Sequence, residues 1–320
     1  MKEFYINNLN IDDEFVDFFL VKEINIRVGS NRKQYLDLTL ADATGEINGK
    51  KWDIADEEVY GLSNITEGDC VKVKASVSEW NGIRQLRVTK IRKAQKEDKL
   101  DMTDFIKAAP EDPNEMYDYI YSRAQAIGDE DLRKLAVRFL DENKEKLLYY
   151  PGAMRNHHAE LAGLLYHMKR MLMMGEQACT IYTNLDKDWV VCGVILHDME
   201  KLTEILSNEL GISPGYSFEG KMLGHIVLGV RKVAEMAKEE DIPEEKAIML
   251  EHMILAHHYE PEYGSPVRPM FPEAELLHYL DILDAKMFDF EDALSGVSEG
   301  TFSERVRTLD GRMLYKPTFK

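Results

Sequence analysis

The sequence predicts two parts, a small closed β-barrel followed by an all-helical domain. Apolar residues alternate with polar ones over residues 15–93, which is the period of a β-strand. Beyond about residue 112 the apolar spacing changes to three and four, which is the period of an α-helix. The charge changes as well, because residues 1–95 carry 14 basic and 16 acidic side chains while the whole chain has a formal charge of −18.

The strands of the first part follow from this alternation and from one turn signal. The segment DCVKVKASVSEW places Val71 and Val73 on one face and Lys72 and Lys74 on the other. Asn81-Gly82 predicts a hairpin into the next strand, IRQLRVTKIRK. Five strands in about 80 residues suit a small closed barrel. We therefore expect a barrel domain over residues 1–95, a charged linker over 96–112 and a helical domain over 113–320.

The barrel carries side chains suited to a nucleic-acid strand. Its near-neutral charge argues against strong binding to duplex DNA, because such binding scales with the phosphates neutralised. Aromatic stacking on a single strand is compatible with this charge. Taken alone, each of these aromatic residues is more often part of a core than of a binding surface. The candidates are Tyr35, Trp52 and Trp80 for stacking, and Lys51, Lys74, Arg84 and Arg87 for phosphates.

The second part reads as helices that begin at recognisable residues. Pro243 and Pro272 mark two of the helix starts. The predicted segments lie near 113–126, 129–146, 158–178, 186–198, 219–239, 243–258 and 272–295. No apolar run is long enough to span a membrane, and the first residues lack the apolar region of a secretory signal. Three widely spaced cysteines predict reduced thiols in a cytoplasmic protein.

All nine histidines lie beyond residue 156, where they accompany acidic residues. His197-Asp198 follows the apolar run VVCGVIL, which predicts a buried helix ending in two polar side chains. Burying both without partners costs several kcal/mol. Either a divalent cation or a mutual His–Asp hydrogen bond removes that cost, and the pair alone leaves both interpretations open.

Further polar residues on other apolar helices favour the cation. They are His167, His225, the His257-His258 pair and Asp281. Each alone is compatible with a satisfied core residue, but together they predict helices that converge on one metal centre. Imidazoles with carboxylates suit Mn, Fe, Co, Ni or Zn better than Mg or Ca.

The chain resembles a known family through five segments. HHAELAGLLYHMKRM, VVCGVILHDMEKL, LGHIVLGV, MILAHHYEPEYGSPVRPM and ELLHYLDILDAKMF are similar to successive motifs of the HD phosphohydrolase superfamily. The barrel in front and the GSPVRPM…DILDAKM block resemble the YhaM-type 3'-5' exoribonucleases of Gram-positive bacteria. This resemblance implies an N-terminal five-stranded OB-type β-barrel and an all-α HD-domain helical bundle.

The resemblance also implies residue roles. Two divalent transition-metal ions, Mn preferred, are expected, with Asp198 bridging them and acting in catalysis together with Lys201, which contacts the scissile phosphate. Glu200 departs from the family pattern, which has glycine there, and Asp284 is expected to be structural. Substrate contacts are expected from His157, His158 and Arg268. The implied metal ligands are His167, His197, Asp198, His225, His257, His258 and Asp281.

These roles imply hydrolysis of single-stranded RNA, or also DNA, from the 3' end with release of 5'-mononucleotides. One alternative is an HD-family phosphohydrolase of nucleotides or cyclic nucleotides, although a mononucleotide substrate needs no barrel. Another is a nucleic-acid-binding protein without catalysis, although the full ligand set argues against it. The acidic helical domain leaves room for a homo-oligomer, and no membrane partner is expected.

Overall fold

A computed structural model describes residues 2–29, 33–52, 54, 62–80, 82–101, 104–154, 158–208, 211, 213 and 215–319. The chain divides into two compact units, Met1–Ala108 and Ala109–Lys320. No helix within these described ranges is long and apolar enough to cross a membrane.

The first unit is a closed barrel, as the sequence predicts. The strand order is β1-β2-β3-β5-β4, with β3 and β5 parallel and the other pairs antiparallel. Alternate residues of β4 point inward, and Val71 and Val73 pack beside Phe19 and Leu38 in the core. The strands are β1 (Glu14–Val28), β2 (Gln34–Asp42), β3 (Gly45–Lys51), β4 (Cys70–Trp80) and β5 (Ile83–Lys93).

The β4–β5 hairpin pairs Trp80 with Ile83. Gly82 has a φ of 79°, which favours glycine at this turn. Asn81 lies outside the described residues. After β5, Lys96–Asp98 forms a short 3₁₀ helix, and Arg92 holds Asp98 at 2.8 Å.

The second unit is a helical bundle around one apolar core. Asp112, Asp129, Asp186 and Ser217 accept hydrogen bonds from the first backbone N–H groups of their helices. The helices are α1 (Pro113–Gln125), α2 (Glu130–Leu147), α3 (Gly163–Ile181), α4 (Lys187–Leu196), α5 (Lys201–Glu204), α6 (Phe218–Glu239), α7 (Glu244–Ala256) and α8 (Pro272–Ser295).

Two short hairpins accompany these helices, although the helical domain was predicted without strands. They are β6 (Ile205–Leu206) with β7 (Gly215–Tyr216), and β8 (Phe302–Val306) with β9 (Arg312–Tyr315). Strands this short carry no measurable alternation, so the sequence pattern cannot reveal them.

The helix predicted over 158–178 begins later, at Gly163. His158 and Ala162 have φ values of 55° and 58°, in the left-handed region that an α-helix excludes. Residues 158–162 therefore form a turn in front of α3. The turn packs so closely that a Cβ on Gly163 would lie 2.1 Å from the His158 carbonyl oxygen.

Candidate metal centre

The His197-Asp198 pair ends a helix that is buried on every side. Every residue from Val190 to Leu196 is buried, and His197 and Asp198 are each 1% exposed. The imidazole and the carboxylate are therefore held in the middle of the second unit, where the apolar core gives them little access to water. Groups in such a place need specific partners.

Three histidines are fixed by backbone carbonyl groups. A carbonyl oxygen only accepts, so the Nδ1 atom of each ring carries the proton and Nε2 keeps its lone pair. His197 and His257 bond to carbonyls three residues earlier on their own helices, and His258 bonds across the following turn. The acceptors are Val194 at 2.8 Å, Ile254 at 2.7 Å and Tyr263 at 2.7 Å.

Two more histidines are fixed by carboxylates. His167 Nδ1 lies 2.7 Å from Asp284 Oδ2, and His225 Nδ1 lies 3.0 Å from Glu204 Oε2. A carboxylate behind a ligating imidazole holds the ring orientation and makes its free nitrogen more basic. In all five rings Nδ1 is therefore held by an acceptor, and Nε2 is the nitrogen left for a metal ion.

Asp198 lies between two groups of these rings. Its Oδ2 atom is 3.2 Å from His197 Nε2 and 3.8 Å from His167 Nε2. Its Oδ1 atom is 3.4 Å from His225 Nε2 and 3.9 Å from His257 Nε2. Each carboxylate oxygen therefore faces a different pair of imidazoles, which is the geometry of a bridging ligand.

Asp281 adds the second carboxylate of the centre. Its Oδ1 atom is 3.4 Å from His167 Nε2, and its Oδ2 atom is 4.0 Å from His258 Nε2. Among the described residues, ligand atoms cluster tightly in three sets, of which two lie at this centre, namely His167 with His197 and Asp198, and His225 with His257 and His258. The third set, His158 with His167 and Asp284, is already joined by hydrogen bonds.

The inward atoms of this centre fit divalent cations. Within the described part of the chain, Nε2 of His167, His197, His225 and His257 has no partner with hydrogen-bond geometry, and neither has Asp198 Oδ1. Buried polar atoms are normally paired, so a cluster left unpaired needs an explanation. Unprotonated imidazoles with carboxylates are the donor set of transition metals.

The carboxylates of the centre are ionised. Burial alone would raise the pKa of Asp198, but Lys201 and His197 outweigh burial and hold it well below its usual range. Burial likewise opposes ionisation of Asp281, but the nearby imidazoles of His167, His197 and His257 together outweigh burial and hold its pKa below its usual range. Two negative charges thus face the centre at neutral pH.

The imidazoles differ in their protonation. Burial and the neighbouring rings of His258 and His197 hold the pKa of His257 well below its usual value, so this ring is neutral. Burial would also lower the pKa of His167, but Asp281 and Asp284 outweigh it and raise the pKa to about 9. A cation must therefore displace a proton from His167 near neutral pH.

Lys201 lies beside Asp198 at the centre. Its Nζ atom is 2.6 Å from Asp198 Oδ2, and its side chain is 12% exposed. Glu200 does not disturb this position, because its φ of −86° and ψ of 5° are open to any L-residue. The glycine expected from the family pattern is therefore not required by the backbone.

The predicted substrate contacts of the helical domain differ in their surroundings. His158 is fully buried, with Nε2 2.7 Å from Asp284 Oδ2, and this burial contradicts a direct substrate contact. Arg268 has an exposed side chain that pairs with Glu260 at 3.3 Å and lies over the Tyr259 ring. His157 lies outside the described residues.

Sequence reasoning missed the carboxylate of Glu204 and the extent of the Asp284 network. Asp284 is fully buried and bonds His158, His167 and, through Oδ1, Arg170 Nε at 2.6 Å. A signal for Asp284 was present, because Asp281 and Asp284 are three residues apart and share one helix face. Glu204 offered no such signal in the polar segment KLTE.

A backbone kink places His225. Gly224 has a φ of 70° inside α6, a conformation that favours glycine. The kink frees the backbone N–H of His225 from the helix, and this N–H donates to Glu204 Oε1 at 3.1 Å. Glu204 thus holds both the ring and the backbone of His225.

The first unit presents an aromatic pair beside basic side chains. Tyr35 and Trp52 stack with centroids 4.6 Å apart, and Lys50 lies 5.8 Å from the Trp52 ring. Trp52 and Arg87 line a cavity of about 280 Å³. Trp80 is 68% exposed at the end of β4. These surfaces suit unstacked bases and their phosphates.

The predicted phosphate partners of the barrel are not equivalent. Lys74 and Arg87 are exposed. Lys51 is 8% exposed, which contradicts a direct phosphate contact, and Arg84 is bonded to the Leu9 carbonyl oxygen. Lys50, which was not among the candidates, lies beside the aromatic pair instead.

Comparison with known proteins agrees with both units. Residues 164–286 match the family model described as HD domain, and residues 21–94 match the model described as OB-fold nucleic acid binding domain. The fold and the centre therefore define a metal-dependent HD-domain hydrolase with an OB-fold barrel.

Full-length relatives narrow this class. The chain is 37% identical over 312 residues to the 3'-5' exoribonuclease YhaM of Oceanobacillus iheyensis, covering 97% of this chain and 96% of the relative. It is 38% identical to the protein of that name from Shouchella clausii and 36% identical to that from Bacillus subtilis, in each case over at least 94% of both chains. The chain belongs to the YhaM exoribonuclease family.

Proposed function

We propose that this protein is a metal-dependent 3'-5' exoribonuclease that hydrolyses single-stranded RNA and releases 5'-mononucleotides. The observation that carries the proposal is the arrangement around Asp198 and Asp281, two ionised carboxylates that the Nε2 atoms of five imidazoles face. Full-length similarity to proteins named 3'-5' exoribonuclease supports the direction and the substrate.

The centre would hold two divalent transition-metal ions, with Mn²⁺ as our preferred identity and Fe, Co, Ni or Zn as further candidates. His167 and His197 would bind one ion, His225, His257 and His258 the other, and Asp198 would bridge them. Asp281 faces His167 and His258, one ring from each set. When bound, such ions supply Lewis-acid activation of water and of the phosphodiester.

The chain's own residues position the substrate and stabilise charge. Water attacks phosphorus in line, and the 3' oxygen of the preceding nucleotide leaves. The ammonium group of Lys201 lies beside Asp198, where it neutralises the charge that develops on the phosphate oxygens. The carboxylates of Glu204 and Asp284 keep the rings of His225 and His167 in place during the reaction.

The barrel would bind the single strand upstream of the cut. Tyr35 and Trp52 offer a stacking surface, and Lys50 and Arg87 offer charge for phosphates. Stacking is available to every base, so this surface would hold single-stranded RNA, and also DNA, with little sequence preference. Cytoplasmic location and self-association stay predictions from the sequence.

The test uses a 5'-labelled single-stranded RNA and Mn²⁺. We expect wild-type protein to produce a ladder that shortens from the 3' end, with mononucleotides as product. Asp198→Asn and Lys201→Met should each slow hydrolysis at least about 100-fold. Lys238→Met, which changes an exposed lysine at the end of α6, is the matched control and should retain the wild-type rate.

Two results would contradict the proposal. Wild-type hydrolysis of nucleoside triphosphates or cyclic nucleotides without any shortening of RNA would indicate the nucleotide phosphohydrolase instead. A protein that binds RNA but takes up none of Mn²⁺, Fe²⁺, Co²⁺, Ni²⁺ or Zn²⁺ would indicate a binding protein without catalysis.

A further inference from the structure

A cavity of about 390 Å³ opens from the metal centre along one face of α8. Lys201, His258 and Asp281 form the end of the cavity at the centre. Asp289 and Thr308 line it as well, and neither has a role in the centre. Its volume lies in the range of pockets that enclose one small molecule.

The spacing along α8 gives the length of this cavity. Asp281, Ala285 and Asp289 are four residues apart, so they lie above one another on the same helix face. Eight residues of α-helix span about 12 Å. A phosphate bound next to Asp281, the ribose attached to it and a hydrogen bond from a ribose hydroxyl to a carboxylate together cover a distance of this order, so a nucleotide with its phosphate at the metal centre would reach Asp289 with its sugar hydroxyls.

Asp289 is a half-buried carboxylate, and within the described part of the chain no lysine or arginine lies within ion-pair distance of it. Burial raises its pKa, and a hydrogen bond from Thr308 and the nearby charge of Lys286 only partly oppose this effect. A half-buried carboxylate is stabilised by hydroxyl groups of a ligand, because their hydrogen bonds replace those that it would make with water in an exposed position. Vicinal ribose hydroxyls are a common partner of a carboxylate.

Building on the proposed function, we infer that this cavity binds the 3'-terminal nucleotide of the RNA and that Asp289 accepts hydrogen bonds from its 2' and 3' hydroxyls. The exposed ring of Tyr263 and the side chain of Ile282 line the cavity and provide apolar walls for the base. The negative charge of Asp289 would repel a 3'-phosphate. The enzyme is thereby specific for a free 3' hydroxyl end.

The first measurement is binding of mononucleotide to the Mn²⁺-loaded full-length protein by calorimetry. We expect Asp289→Asn to weaken binding of adenosine 5'-monophosphate about tenfold, which corresponds to one hydrogen bond to a charged group. Binding of 2',3'-dideoxyadenosine 5'-monophosphate should not change, because this ligand lacks both hydroxyls. Asp292→Asn, an exposed acid on the same helix, is the matched control.

The second measurement compares RNA ends. Wild-type protein should degrade RNA with a 3' hydroxyl at least about tenfold faster than the same RNA with a 3'-phosphate, and Asp289→Asn should narrow this ratio. Hydrolysis of bis(4-nitrophenyl) phosphate, which has no ribose, should be equal in both proteins.

The two proposals fail in different ways. The role of Asp289 would be overturned if Asp289→Asn lost affinity equally for both nucleotides or for neither. It would also be overturned if the ratio of degradation rates for 3'-hydroxyl and 3'-phosphate RNA were the same in Asp289→Asn as in wild-type protein. If wild-type protein degrades neither RNA, the exoribonuclease proposal fails. In that case, calorimetric binding of the two nucleotides still decides whether Asp289 accepts hydrogen bonds from the ribose hydroxyls.

Discussion

Glu204→Gln tests how the second half of the metal centre is held. Glu204 accepts from Nδ1 of His225 at 3.0 Å and from its backbone N–H at 3.1 Å, and its side chain is 14% exposed. Glutamine keeps one acceptor oxygen, so either orientation of the amide loses one bond. Where the amide nitrogen faces Nδ1, two donors meet and the ring moves its proton to Nε2. A protonated Nε2 cannot bind a metal ion.

The expected loss is confined to one of the two ions. Removing a carboxylate behind a ligating histidine costs about 10–100-fold in metal affinity, which is about 1.4–2.7 kcal/mol. We expect calorimetric titration with Mn²⁺ to show two tight sites in wild-type protein. In Glu204→Gln we expect one tight site and one weakened by that factor, because His167 and His197 keep their own acceptors.

Elemental analysis after gel filtration provides an independent count of the ions retained. Glu235→Gln makes the same chemical change at an exposed position of α6 and should bind metal as the wild type does. Equal affinities at both sites in Glu204→Gln would refute the reasoning. Loss of both ions together would show that the two halves are not held separately.

Three further predictions concern Asp284 and His167 at the metal centre and Trp52 in the barrel. Asp284→Asn removes a fully buried charge that His158, His167 and Arg170 share. The free energy of unfolding of the metal-free protein, measured in urea, should fall by at least about 3 kcal/mol. An unchanged urea midpoint of unfolding would contradict this network. The pKa of His167 is about 9 when folded and about 6.5 when unfolded, so its protonation stabilises metal-free protein fully below pH 6.5 and ceases to do so as the pH rises through 9. Between pH 6.5 and 9 the affinity for Mn²⁺ should rise. His167→Gln should flatten both the dependence of stability on pH and the dependence of Mn²⁺ affinity on pH. Trp52→Ala should weaken single-stranded RNA binding, measured by fluorescence anisotropy, by about 1–3 kcal/mol, while Trp80→Ala, outside the Tyr35 stack, should cost less.

The sequence predicts the barrel and the helices because the spacing of apolar residues differs between strands and helices. Val71, Val73, Ala75 and Val77 face the barrel core at the period that the sequence shows. The apolar run before His197 likewise predicts a buried helix, and that helix is observed. Pattern and element agree here because the same burial that selects apolar residues also forms the element.

The surroundings of the metal ligands were harder to predict. His158 carries the residue type of a ligand, but its left-handed backbone and its bond to Asp284 appear only in three dimensions. Glu204 is 21 residues from His225 and lies in a polar turn of helix, so no spacing rule connects the two. Which carboxylate supports which imidazole depends on helix packing, and local sequence does not record that packing.

The kink at Gly224 divides α6 into a short first segment before Gly224 and a longer second segment that begins at His225. The backbone N–H of His225 bonds to Glu204 rather than to the preceding turn, so the segment that carries His225 is anchored at its own start. The first segment also rests on Glu204, because the Ser217 N–H donates to the Glu204 carbonyl oxygen at 2.9 Å and a Cβ on Gly220 would lie 2.4 Å from that oxygen. A residue inserted or deleted between Phe218 and Leu223 would turn Gly220 away from Glu204 and press a larger side chain against it. The number of residues in this segment is therefore fixed by the carboxylate that orients the ligand.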